Sequence, residues 1–146
     1  MKHIFFLITI IGLTLLSCKK TASIDPIPTS LDGKWKMVIV KENVSGLTTL
    51  KPSSIQGDVD ITFTSANATT GTLFGHTPTN EISLNDYSIG TNQSLTIPNL
   101  SMTKVGETSW GEEFVDNIRN SQEYSFEIGG KLNIKTTNKT LTFRKL

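Results

Sequence analysis

Tyr124-Ser125-Phe126-Glu127-Ile128, then Gly129-Gly130, then Lys131-Leu132-Asn133-Ile134 sets two short alternating runs on either side of a glycine pair. Alternation of apolar and polar residues puts one face of an extended strand into a core, and Gly-Gly supplies the positive φ of a two-residue hairpin turn. A second turn around Thr137-Asn138-Lys139 leads to Thr140-Leu141-Thr142-Phe143-Arg144. The end of the chain therefore reads as a three-strand antiparallel meander.

The same pattern extends toward the N-terminus. In Lys34-Trp35-Lys36-Met37-Val38-Ile39, the residues Trp35, Met37 and Ile39 share one face and the lysines take the other. Asp58-Val59-Asp60-Ile61-Thr62-Phe63-Thr64 alternates more cleanly, with Val59, Ile61 and Phe63 inward and Asp58 and Asp60 outward. Thr72 to Phe74, Ile82 to Ile89 and Leu95 to Ile97 are shorter strand candidates, the second interrupted by a bulge at Asn85-Asp86. Many short strands separated by Gly, Asn, Pro and Ser predict an all-β, mainly antiparallel sandwich or small barrel.

One helix breaks the β pattern, between Ser109 and Asn120. Ser109 as N-cap with Glu112 three residues on forms a capping box, and Glu112 and Glu113 suit the positive end of the helix dipole. Trp110, Phe114 and Ile118 recur every four residues, giving one apolar stripe to lay over the sheet. The weakly patterned stretch from Lys41 to Gly57 holds either a short strand at Thr48 to Leu50 or a loop over one barrel end.

The first seventeen residues are an address. Lys2 and His3 precede the unbroken apolar run Ile4 to Leu16, which matches the basic and apolar regions of a signal peptide and is too short to span a bilayer. The run ends at Leu15-Leu16-Ser17-Cys18, which resembles the lipobox of bacterial lipoproteins, with Lys19-Lys20 behind it as in leaders of the Bacteroidetes type. That resemblance implies that Cys18 becomes the acylated N-terminus. Several acyl chains hold a protein on a membrane where one would not. Residues 18–30, with two Pro and no periodicity, read as a mobile tether, and 31–146 as the folded domain.

Composition removes several function classes. Taking Lys2 away with the leader leaves 13 basic and 13 acidic residues, so the mature chain has no electrostatic footprint for nucleic acid. Its one Cys is committed to lipid, which leaves the domain without disulfide, thiolate nucleophile or Cys metal site. His76 is the only histidine after cleavage, with no second ligand or orienting base at a recognisable spacing, and reads as a neutral loop residue. Asp58 and Asp60 could hold calcium or act as a carboxylate pair; solubility on the outer face of a strand is the simpler role. Gly71, Gly75 and Gly90 read as turns or barrel bends, and the Asn-x-Ser/Thr triplets at Asn43, Asn67, Asn92, Asn99 and Asn138 follow from composition. Trp35 and Trp110 could line a ligand site, although each sits on an apolar pattern that suits a core.

Leu31-Asp32-Gly33-Lys34-Trp35 opening a strand, an Ile-Thr-Phe strand, and a closing block of strand, helix and hairpin together resemble the META/HslJ-type domain. Leu95-Thr96-Ile97 with Leu100-Ser101-Met102-Thr103, Glu113-Phe114 through Ile118, and the final hairpin carry most of the likeness, which spans Leu31 to Leu146. Many members have a Gly-Cys-Asn element followed by Gly-x-Tyr; here Gly75-His76-Thr77-Pro78-Thr79-Asn80 and Tyr87 stand there, so Asn80 and Tyr87 match and the Cys is absent. A second Cys common in the family is also missing within Lys104 to Thr108, which puts in doubt any function that needs a Cys pair.

The resemblance implies a small β-barrel with one covering helix, no cofactor and no established catalytic activity. It leads to the expectation of a monomeric, non-enzymatic lipoprotein on the outer membrane, facing periplasm or exterior, that contacts other envelope proteins. The opening Gly-x-Trp also occurs in lipocalin-like lipoproteins, so a carrier with a small apolar ligand inside the barrel stays open as the alternative. Trp35, Asn80, Tyr87 and Trp110 are the candidate ligand or surface-contact residues for either function.

Overall fold

The computed structural model describes residues 25–146; the leader, Cys18 and the first part of the tether lie outside the described residues. Nine strands are present among them: β1 (Gly33–Glu42), β2 (Thr48–Leu50), β3 (Asp60–Ser65), β4 (Thr70–His76), β5 (Glu81–Ile89), β6 (Leu95–Thr96), β7 (Ser121–Glu127), β8 (Lys131–Thr136) and β9 (Lys139–Lys145). They form one antiparallel sheet in the order β6-β5-β4-β3-β1-β9-β8-β7, with β2 on the last residues of β1. The outer strands of that order meet at an antiparallel bridge between Ser94 and Glu123, so the sheet curls into a nearly closed barrel. Closure removes the exposed edges that an open sheet would present.

The alternating residues of β3, and Val59 just before it, behave as their pattern requires: Val59, Ile61 and Phe63 are all buried. In β1 the alternation breaks. A register shift against β9 between Met37 and Ile39 turns the strand, so Val40 goes into the core and Ile39, expected inward, is only half-buried. Residues Ile82 to Ile89 form one strand, and the expected bulge lies slightly earlier, at Ser83-Leu84, where Leu73 faces Asn85 and Gly75 faces Ile82. The chain from Ile97 to Thr103 then runs beside β5, through a bridge between Met102 and Ile82 and the bond from the Thr103 amide to the Glu81 carbonyl.

The final hairpin forms where expected, but its ladder closes at Glu127 and Lys131, which makes the turn three residues rather than two. Gly129 and Gly130 both have positive φ, 85° and 66°, which glycine adopts without steric cost. Thr48 to Leu50 is a strand, so the Lys41 to Gly57 segment is an arm folded back on β1 with its residues largely exposed.

Helix α1 (Ser109–Ile118) buries Trp110, Phe114 and Ile118 against the barrel, with the Phe114 ring edge-on to Phe143 at 6.4 Å. Its N-cap is Thr108, one residue before the expected Ser109. The Thr108 hydroxyl accepts from the Gly111 amide at 3.1 Å, so the Ser109–Glu112 capping box does not form. Glu112 still lies in the first turn, while Glu113 instead binds Lys139 of β9 at 2.7 Å and pins the helix to the sheet.

The core is one contiguous cluster that includes Trp35, Phe63, Tyr87, Trp110, Phe114 and Phe143, all 2% exposed or less. Burying a large apolar side chain contributes about 1.5–3 kcal/mol each. No helix among the described residues is long and apolar enough to cross a membrane.

Candidate functional site

Strand β1 gives the barrel two distinguishable ends. At its first residues the Leu146 amide bonds the Lys34 carbonyl and the Lys145 amide bonds the Gly130 carbonyl, which places the β7–β8 turn there. Asp25, in the stretch expected as a tether, lies against that turn, through a 3.0 Å bond from the Gly129 amide to the Asp25 carbonyl. At the other end of β1, Glu42 bonds Leu47 of the arm and Asn43 bonds Asn138 of the β8–β9 turn. Ten extended residues separate the two ends by about 30 Å.

Asn80, in the β4–β5 turn, lies at the centre of a polar knot on the arm's side of the barrel. It is 4% exposed. Its Nδ2 donates to Glu107 Oε2 at 2.9 Å and to the Val105 carbonyl at 3.0 Å, while its Oδ1 accepts from the Val105 amide at 2.7 Å and from Thr103 Oγ1 at 3.1 Å. Glu107 also accepts from the hydroxyls of Thr77 and Thr79 and from the Thr108 amide. Burial pushes the Glu107 carboxyl up, but the hydrogen bonds from Thr77, Asn80, Thr79 and Thr108 outweigh it and hold the group below its usual range. A carboxylate so occupied is a structural acceptor that ties the β4–β5 turn to the start of α1, and it has little capacity left for proton transfer. Beside the knot, a cleft of about 270 Å3 opens between Met102 to Val105 and the helix residues Val115, Asp116 and Arg119.

Asp58 and Asp60 share the outer face of the barrel as expected, but neither is a free solubilising charge. Asp58 binds Lys36 at 2.5 Å and Lys51 at 2.8 Å, and these hydrogen bonds pull its carboxyl below the usual value. Asp60 is 7% exposed, with Lys34 at 3.1 Å and His76 Nε2 at 3.6 Å from its Oδ2 and no partner for its Oδ1 among the described residues. The sequence placed His76 in a loop; it ends β4 directly opposite Asp60. Lysines around both carboxylates disfavour a cation, and among the described residues no three His, Cys, Asp or Glu side chains are grouped to hold a metal.

The other candidate residues are dispersed. Trp35 is fully buried, its Nε1 donating to the Leu31 carbonyl at 2.6 Å, with Phe126 stacked at 6.0 Å. Tyr87 is buried with its hydroxyl 3.1 Å from Ser65 Oγ, passing over Gly71, where any Cβ would collide with it. Trp110 is buried on the helix and its Nε1 has no partner among the described residues. Of the four, Asn80 belongs to the polar knot, while Tyr87 reaches exposed Ser65 and lines a separate groove beside Gly71 and Pro98. Sequence reasoning missed Glu107, Thr77, Thr79 and Thr103, because their partners lie more than twenty residues away and no local pattern marks them.

No family model matches this chain, and no curated protein matches it. Among solved structures it is similar to an NMR structure of a protein from Burkholderia xenovorans, at 17% identity and a TM-score of 0.57, covering 88% of this chain and 96% of that one. At that identity the likeness supports the fold alone.

Proposed function

We propose that this chain is a non-enzymatic envelope lipoprotein, anchored through acylated Cys18, whose META-like barrel offers the end far from the tether to another envelope protein. The observation that carries the reading is the polarity of the barrel. The tether leaves beside the β7–β8 turn, and the opposite end carries the arm with Val44, Leu47 and Leu50 exposed. The tether end also exposes Ile27, Ile128 and Leu146, but an anchor there keeps them near the bilayer and leaves the arm's apolar side chains facing away from it, available for protein contact. The contiguous aromatic core favours this over the lipocalin-like carrier, which needs an open apolar chamber.

The test is site-specific photo-crosslinking in the producing cells, from Leu47 and Leu50 on the arm and from Asn67 in the β3–β4 turn as control. A discrete protein adduct from the arm positions alone is expected, together with release of the Cys18→Ala variant from the membrane fraction. Equal adducts from all positions, or none, would remove the contact reading. Membrane retention and unchanged processing of Cys18→Ala would remove the anchor. A small apolar molecule bound stoichiometrically in native mass spectrometry would favour the carrier.

A further inference from the structure

Where β6 and β7 close the barrel, the 3-10 turn Thr91–Gln93 overhangs the outer face of the last three strands and encloses a groove of about 310 Å3. That size falls at the lower end of small-molecule clefts. Asn92 and Gln93 form one wall, and the opposite wall comes from β7, β8 and β9. Every lining residue carries a hydrogen-bonding side chain.

Some of those groups are already committed. Glu123 and Lys135 pair with each other at 2.7 Å, so the groove carries no net charge. Asn133 binds Glu127 and Thr142, and Thr140 binds Asn43. The side chains of Asn92, Gln93 and Ser125 line the same groove and make no hydrogen bond among the described residues, whereas the ring of half-buried Tyr124 packs inward against Phe126 and the core. Two amides and a hydroxyl therefore present uncommitted donors and acceptors around one concavity.

The turn that supplies the amides is held in an uncommon shape. Asn92 and Gln93 have φ of 55° and 58°, the left-handed region that favours glycine, and they are the only non-glycine residues there among the described residues. Backbone bonds from Gly90 to Ser94 and from Ser94 to Thr91 fix that geometry. Glycine would fit these positions without strain, yet the chain places two amide side chains at them.

We propose that this seam groove binds a neutral, polyhydroxylated ligand, a glycan unit. An apolar ligand would leave the amides dry and unpaired, and a charged one would meet both members of a satisfied ion pair. A sugar offers donors and acceptors on every carbon, carries no charge, and matches the mixed inventory of the lining. The groove meets the arm only where Thr140 binds Asn43, and it does not depend on the protein-contact reading.

The test is saturation-transfer NMR on the full chain in a detergent without a sugar headgroup. The probes are cellobiose, maltose and N,N′-diacetylchitobiose, each beside its monosaccharide. Transfer to at least one disaccharide is expected, with affinity lowered about tenfold or more in the double variant Asn92→Gly, Gln93→Gly. Glycine relieves the left-handed backbone, so the melting temperature should hold or rise and a lost signal would not reflect unfolding. Equal binding of the monosaccharide would assign the groove to a terminal sugar; tighter binding of the disaccharide would assign it to a chain. No transfer from any probe, or transfer unchanged in the double variant, would overturn the proposal.

Discussion

The carboxylate of Glu107 occupies the space that a side chain on Gly111 would need. The glycine is the third residue of the helix α1, and its amide is also the one that Thr108 caps. Helix propensity favours Ala over Gly there by about 1 kcal/mol. The collision works the other way, so Gly111→Ala should destabilise the fold by a net of about 1–3 kcal/mol in denaturant titration. In a Glu107→Ala background the same change should become neutral or stabilising, and a double-mutant cycle measures the coupling. Additive effects would show that the carboxylate and the glycine are independent.

The lowered carboxyl of Glu107 has a definite consequence with pH. Its folded value lies below the ordinary 4.5, so its contribution to stability is fully present above that value and is lost as pH falls through the folded value. Asp58, lowered from 3.8 by Lys36 and Lys51, acts in the same direction further down. Glu107→Gln should lower stability at neutral pH and flatten its dependence on pH just below 4.5. Urea midpoints measured from pH 3 to pH 7 check this, and parallel curves for the two proteins would contradict it.

Two buried tryptophans should respond differently to the same replacement. Trp35→Phe strands the Leu31 carbonyl, which accepts its indole at 2.6 Å, and should cost about 1–3 kcal/mol beyond the lost volume. Trp110→Phe removes a buried donor that has no partner, so relief of that group offsets part of the cavity cost. Guanidinium unfolding of the two variants should rank Trp35→Phe as clearly the more damaging.

The bulge in β1 inverts an order that the alternation suggests. Val40→Ala should cost about 2 kcal/mol, since Val40 is 2% exposed, whereas Ile39→Ala should cost under about 1 kcal/mol although it removes more atoms. A larger loss at Ile39 in equilibrium denaturation would place the register shift elsewhere.

Period-two alternation in β3, β8 and β9 and the four-residue stripe of Trp110, Phe114 and Ile118 were legible because they depend only on near neighbours along the chain. The bulge at Met37-Ile39 was not, since it is set by the register of β1 against β9, a strand a hundred residues away. Helix capping moved by one residue for a similar reason: Glu107 is drawn into the knot by Thr77, Thr79 and Asn80, and the helix begins where that carboxylate ends.

From its sequence alone this protein is an all-β chain with one amphipathic helix, few apolar residues, balanced charge and a Cys behind an N-terminal apolar run. Those properties depend on composition and on spacings of two to four residues. Tertiary structure decided which ends of the barrel carry the tether and the arm. It also set Asn80 against Glu107, buried Asp60 beneath Lys34 and His76, and closed the seam that holds Asn92 and Gln93 over β7. Each of these joins groups more than fifteen residues apart. Their meeting is fixed by strand order and barrel closure, which no local pattern encodes.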